Sequence, residues 1–227
     1  MVEKDLRTQI TYRSLIWDDI EHIAQEYDNT WSYSDVIGKK TGSILSQLST
    51  FHYVQPATDG IVAYDNQNRF MGVCLSRVPN QPQLFDQCDE KIMQLLEQLQ
   101  RLDGGAHDLI HKISVWEQLE FEMEQESNCL IEKDAEIELF LVAARSRGLG
   151  IGGKLFKHAL QYFNQHNATK FFLHTDSDCD VSFYDYKGMT CVSHRDVTKI
   201  GVERATDVMA EQLYIYEGNL TEMLGAK

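Results

Sequence analysis

No apolar run in this sequence of 227 residues approaches the roughly 18 to 20 needed to span a bilayer. The opening Met1-Val2-Glu3-Lys4-Asp5-Leu6-Arg7 also lacks the apolar core of a signal peptide. A cytoplasmic protein without a membrane partner is therefore expected. The five cysteines, Cys74, Cys88, Cys129, Cys179 and Cys191, are odd in number and form no C-x-x-C pair, so they read as reduced thiols rather than a disulfide framework. Basic residues are scarce, with 21 Lys plus Arg against 35 Asp plus Glu and a net charge of −14. That balance argues against nucleic acid as a partner, because no basic stripe is available for phosphate. A cationic small molecule is compatible with the acidic balance, and so is plain solubility. No internal repeat or low-complexity segment occurs, and a hydrophobic content of 43% suffices for one substantial core.

What the sequence does have is a glycine-rich junction. Between a predicted strand, Glu136 to Val142, and a predicted amphipathic helix, Ile151 to Gln165, the chain reads Arg145-Ser146-Arg147-Gly148-Leu149-Gly150-Ile151-Gly152-Gly153-Lys154. Few β-carbons stand in the way, so N–H groups at the helix start can face an anion with the positive end of the helix dipole behind them. Three phosphate loops compete for these residues. Gly148 to Lys154 makes most of a P-loop, but Leu155 has no hydroxyl for Mg²⁺. Gly148, Gly150 and Gly153 satisfy the dinucleotide pattern, yet Ala168 and Thr169 stand where the ribose-binding acid belongs, and the loop lies late in the chain. The third pattern is R-x-x-G-x-G, on Arg145, Gly148 and Gly150.

Downstream, after a short predicted strand from Lys170 to Thr175, comes Phe183-Tyr184-Asp185-Tyr186-Lys187-Gly188-Met189. The R-x-x-G-x-G loop followed by this F-Y-x-x-x-G segment, in this order and on these elements, resembles the GCN5-related N-acetyltransferase (GNAT) superfamily. Met189 replaces the usual aromatic, and Ser177 and Asp180 stand where Asn and Ala are common. The resemblance implies an α/β (α+β) fold with a mixed, mainly antiparallel central sheet flanked by helices. It implies acetyl-CoA as co-substrate and an N-acetyltransferase moving acetyl to a primary amine, of a small molecule or a peptide, by direct attack in a ternary complex. Acyl-chain length and acceptor stay open. A non-catalytic acyl-CoA sensor on the same fold is the alternative, and an NAD(P)-binding domain a more distant one.

The order of predicted elements agrees with a single domain over 1–227. Gln9 to Leu15 alternates as a first strand, Trp17 to Tyr27 reads as a helix, and Ser34 and Asp35 offer N-caps for a second helix toward Leu48. Gly60 to Tyr64 and Arg69 to Arg77 form strands joined by Asp65-Asn66-Gln67-Asn68, and the last strands fall at Cys191 to Ile200 and Met209 to Glu217. The resemblance covers roughly 8–79 and 130–217. The intervening 80–134 reads as an inserted helical hairpin: Ile92, Leu95, Leu96, Leu99 and Leu102 make one stripe, and Leu109, Ile113, Trp116 and Leu119 another after Asp103-Gly104-Gly105. Such stripes ordinarily pack on the parent domain, and the position also fits a roof over the acceptor site or a homodimer contact.

Acyl transfer needs a held thioester, a neutral amine, a home for the amine's proton and a proton for the thiolate. Positioning can supply roughly 7 to 11 kcal/mol and a side-chain base about 10² to 10⁴ in rate. Glu136 and Glu138, two apart on a strand, share a face and are candidates for the proton path; His174 on the next strand is another. Strand Glu and His residues are also commonly mere salt-bridge or hydrogen-bond partners. The resemblance sets Tyr184 beside the CoA sulfur, where a phenol can donate to the thiolate. It also implies that backbone amides from Arg147 through Gly148, Leu149, Gly150, Ile151 and Gly152 to Gly153 hold pyrophosphate, with Arg145 and Arg147 adding charge. Backbone groups of Phe140, Leu141 and Val142 would pair with pantetheine. No metal is expected: Asp176-Ser177-Asp178-Cys179-Asp180 lacks the Gly and closing Glu of a Ca²⁺ loop, and His107 and His111 lack the Glu of H-E-x-x-H. Trp31, Tyr33 and Tyr53 lie where this superfamily shapes acceptor pockets, although core aromatics are the ordinary reading.

Overall fold

The computed structural model describes residues 9–31, 33–102, 105–129, 135–199 and 210–225. Among the described residues, seven strands form one sheet in the order β1-β2-β3-β4-β5-β7-β6. They are β1 (Thr11–Ser14), β2 (Asp59–Tyr64), β3 (Phe70–Arg77), β4 (Ala135–Val142), β5 (Lys170–Asp176), β6 (Thr190–Asp196) and β7 (Gln212–Asn219). Every neighbouring pair is antiparallel except β4 and β5. The β2–β3 turn is tied by Asp65, whose Oδ1 accepts from the N–H groups of Gln67 and Arg69, while Asn68 takes a positive φ of 57°. Where the sequence suggests final strands reaching Ile200 and starting at Met209, those two residues lie outside the described ones, and a short helix, Leu220–Gly225, follows β7 unforeseen.

Helices cover both faces. On one, α1 (Asp19–Trp31), α2 (Tyr33–Ile37), α3 (Lys39–Val54) and α4 (Cys88–Gln100) pack a core that includes Ile23, Leu45, Phe51, Leu95, Leu99 and the β4 residues Leu139 and Leu141. On the other, α6 (Ile151–Gln165) lays Ile151, Leu155, Phe156, Ala159 and Phe163 against Ile137, Phe171 and Leu173. The i, i+4 spacing of those α6 residues is why the helix is legible, and why it docks flat on the sheet. Between them, α5 (Gly105–Glu126) sets Leu119 and Met123 on Phe172, Leu213 and Ile215. Thus the two helices within 80–134 rest on different partners, α4 on α3 and α5 on β5 and β7. Asp103, Gly104, the side chain of Leu109, and residues 130–134 lie outside the described residues.

The expected second helix capped by Ser34 and Asp35 is corrected. Both residues sit inside the short α2, which stops at Gly38 (φ 89°), and a separate helix starts at Lys39 and runs to Val54. A positive φ cannot continue a helix, so glycine there breaks the segment in two. The chain then folds back so tightly that a β-carbon added at Gly42 would stand 2.4 Å from the Ser34 backbone. Gly42→Ala is expected to destabilise the protein by about 1 to 3 kcal/mol through overpacking, read as a lower urea midpoint with unchanged slope.

Candidate active site

The register of β4 shifts once. Leu75 faces Leu139 and Ser76 faces Ile137, leaving Glu138 as the extra residue of a β-bulge. The bulge reverses which residues face which helices: Ile137 points into the α6 core, whereas Leu139 and Leu141 point into the α1–α4 core. It also coincides with a parting of strands. Parallel pairing with β5 covers only Ala135 to Ile137, so the rest of β4 leaves a cleft along that edge. Ala143 N–H bonds Met71 on β3, and antiparallel alternation then turns the N–H groups of Phe140 and Val142 toward the cleft and that of Leu141 toward β3. Of the three backbone groups expected to meet pantetheine, two are therefore available.

At the upper end of the cleft lies the glycine loop. Gly148 (φ 78°) and Gly150 (φ 74°) are left-handed, Gly150 caps α6 directly, and no acidic residue occupies the first turn of that helix. A β-carbon on either glycine would meet nothing within 4 Å, so the space before the helix is open. Gly152 is pressed against Phe140 and Val142, where an added β-carbon would lie 3.4 Å and 3.5 Å from their side chains. The orphan N–H groups of the first turn, with no anion-repelling side chain, suit a pyrophosphate. Arg147 is exposed beside them. Arg145 is not available as expected: its guanidinium bonds Glu26 at 3.1 Å and the Phe70 carbonyl at 2.5 Å, so it ties the loop to α1 and β3. A cation missed in the sequence reading is Lys187, whose Nζ would lie 3.9 Å from a β-carbon on Gly153.

Tyr184 sits on the short helix α7 (Ser182–Tyr186), just beyond which Gly188 takes a positive φ of 77°. The side chain is buried, packs 5.4 Å from the ring of Tyr216, and lines a cavity at the β4–β5 parting. Burial pushes its pKa well up, so the phenol stays protonated at neutral pH.

That cavity has two unlike walls. Tyr27, Trp31, Tyr33 and Tyr53 line one side, with Tyr27 and Trp31 centroids 4.2 Å apart. Glu117, Glu120, Glu138, His174 and Asp176 bring polar and acidic groups to the other. Glu117 and Glu120 come from α5, so the inserted segment contributes to the lining. Glu136 and Glu138 do share a face, as their spacing predicts, but neither is a free base: Arg77 of β3 forms an ion pair with both. Burial raises both pKa values against the pull of Arg77, and the Glu138 carboxylate adds to the rise at Glu136. One guanidinium facing two buried carboxylates favours retention of a proton in the pair. His174 is half-buried beneath α5, its Nδ1 3.7 Å from Glu120 and its Nε2 3.2 Å from Glu124 without hydrogen-bond alignment. Burial, then His52 and Arg77, lower its pKa to about 4, leaving a neutral ring. Glu124, Glu136 and His174 bring ligand atoms within 4.8 Å of one another, but the Arg77 guanidinium on Glu136 disfavours a cation there. Arg77 and the α5 glutamates carried no sequence signal, because nothing local marks a residue as a partner across the sheet.

The acetyltransferase (GNAT) family model matches residues 113–187, the stretch that holds the cleft strands, the loop and Tyr184. Among solved structures, a mosquito arylalkylamine N-acetyltransferase-like protein (5b) is 17% identical, covering 93% of this chain and 100% of its own, with a TM-score of 0.57. An agmatine N-acetyltransferase is 12% identical over 92% and 99%, with a TM-score of 0.54. A spermidine/spermine N-acetyltransferase from Vibrio cholerae is 16% identical over 96% and 97%, at 0.51. No curated protein matches the sequence. The solved structures share this fold, and the acetyltransferase (GNAT) family model matches the segment that carries the cleft. The resemblance read from the two motifs and the expected mainly antiparallel sheet are both borne out. Among the described residues, no helix is long and apolar enough to cross a membrane.

Proposed function

We propose that this protein is a cytoplasmic enzyme that transfers acetyl from acetyl-CoA to the primary amine of a small-molecule or peptide acceptor, by direct attack in a ternary complex. The observation that carries the reading is the coincidence, at one bulge, of unpaired β4 amides, the Tyr184 phenol and a cavity rich in carboxylates. Acetyl-CoA supplies the activated carbonyl and the thiolate leaving group. Backbone N–H groups from Arg147 to Gly153 would hold its pyrophosphate, with Arg147 and Lys187 adding charge. The N–H groups of Phe140 and Val142 would align the pantetheine arm and polarise the carbonyl. The acidic wall would draw in the acceptor as an ammonium, and Tyr184 would donate a proton to the departing sulfur. The fold relatives named for arylalkylamine, agmatine and polyamine acetylation accord with an amine acceptor.

Calorimetric titration with acetyl-CoA, with NADH and ATP run in parallel, tests the cofactor, and thiol release across a panel of amines tests the transfer. Tyr184→Phe is expected to lower kcat by about 10²-fold, the lower range for proton transfer by a side chain, with the acetyl-CoA Kd unchanged. An unchanged kcat removes Tyr184 from the mechanism. The tying of Glu136 and Glu138 to Arg77 favours a second reading, a non-catalytic acyl-CoA sensor, which predicts tight acetyl-CoA binding with no thiol release on any amine.

A further inference from the structure

The transferase reading leaves the acceptor's first proton without a recipient. Glu136 and Glu138 are held by Arg77, Glu117 faces His52 Nδ1 at 3.2 Å, and Asp176 accepts the Asp178 N–H at 2.8 Å. The neutral His174 is too weak a base for an ammonium. Glu120 differs from all of these. It lines the cavity from α5, its side chain is only 13% exposed, and among the described residues it forms no ion pair with Lys or Arg. It is nevertheless aimed: Trp116 Nε1 donates to its Oε1 at 3.1 Å, one helical turn away, and His174 Nδ1 lies 3.7 Å from the same oxygen.

Resting on that reading, we infer that Glu120, contributed by the inserted helix, is the general base that takes the acceptor ammonium's proton before attack, with Trp116 as its positioning residue. The surroundings suit the task. Glu117 and Glu124 on the same helix, Asp176 and His174 on β5, Glu138 on β4 with Arg77 from β3, and His52 from α3 face or border it. Burial and the nearby carboxylates raise Glu120 to about 8, so it exchanges protons close to neutrality, where a base is most effective. The protons balance. Of the three on the ammonium, one goes to Glu120 and then to solvent, one stays in the amide, and one leaves the nitrogen after C–N bond formation. That last proton restores Tyr184, whose own phenolic proton has gone to the sulfur as the C–S bond breaks.

The test measures thiol release from acetyl-CoA with propylamine, phenethylamine and 1,4-diaminobutane across pH 6 to 9, in the full chain and two variants. Glu120→Gln is expected to lower kcat by about 10²-fold or more and to abolish the acid limb of the pH profile, with acetyl-CoA Kd unchanged. Trp116→Phe removes a donor that favours the carboxylate, so it should lower kcat less than Glu120→Gln does and move the acid limb to higher pH. A Glu120→Gln variant with wild-type kcat and an unmoved limb overturns the role of Glu120 while leaving the transferase intact. Loss of acetyl-CoA binding in that variant equally counts against a base and for a structural role. Wild-type protein that binds acetyl-CoA but releases no thiol with any of the amines defeats the transferase reading, and Glu120's role with it.

Discussion

Gly150→Asp is expected to weaken acetyl-CoA binding by at least about 100-fold, which corresponds to roughly 2.7 kcal/mol, while the protein stays folded. Two costs combine. Gly150 holds φ 74°, a left-handed conformation that an L-residue adopts at about 1 to 2 kcal/mol, somewhat less for Asp or Asn. The larger cost is electrostatic. A carboxylate at the start of α6 would occupy the positive end of the helix where pyrophosphate is to sit, and like charges about 4 Å apart repel by roughly 4 kcal/mol near a protein surface. No packing clash contributes, since nothing lies within 4 Å of an added β-carbon. Gly150→Asn separates the two costs, because it shares the backbone strain without the charge. Calorimetry should show a modest loss for Asn and a large one for Asp, with similar melting temperatures. Equal affinity in wild type and Gly150→Asp would mean that the loop does not hold the phosphates.

Arg77→Met is expected to cost about 3 to 5 kcal/mol of stability, the range for breaking a buried ion pair by removing one partner. In a chain of this size that lowers the melting temperature by roughly 10 °C. The loss should depend on pH in a definite direction. Glu136 and Glu138 already have folded pKa values above the ordinary carboxylate value, so the fold binds more protons than the unfolded chain, and their contribution to stability falls as pH rises above about 4.5. Without the guanidinium both rise further. The gap between wild type and variant should therefore be small at pH 5 and large at pH 8. Adding Glu136→Gln and Glu138→Gln should restore much of the lost stability at pH 8. Melts showing the same gap at both pH values would mean that Arg77 acts through its packing rather than its charge. Because Glu138 is the bulge residue, the variant should also loosen the strand parting and reduce activity at pH values where it remains folded.

The parts of the site that were legible share a physical cause. A left-handed turn before a helix requires glycine, and the requirement is satisfied within a few residues, so Gly148, Gly150 and the start of α6 at Ile151 can be read directly. Tyr184 was reached through the resemblance of its F-Y-x-x-x-G segment, whose glycine, Gly188, follows the short helix four residues on. The α6 stripe and the β2–β3 turn are equally local. Arg145 shows the limit of this reasoning. Its place in the motif suggests phosphate, but Glu26, far off in sequence, offers a charge partner that only the packing of α1 brings near.

By itself, then, the sequence determined the left-handed glycine turn and the helix that follows it, because these are short-range backbone requirements written in residue type and spacing, and its resemblance to the GNAT superfamily implied the class of fold and the place of Tyr184. Only the tertiary structure decided which side chains share the cavity. The bulge at Glu138, the grip of Arg77 on two carboxylates, and the arrival of Glu120 opposite His174 join α5, β3, β4 and β5. Charge pairing and burial depend on distance in space, and contacts made across a sheet leave no periodic mark along the chain.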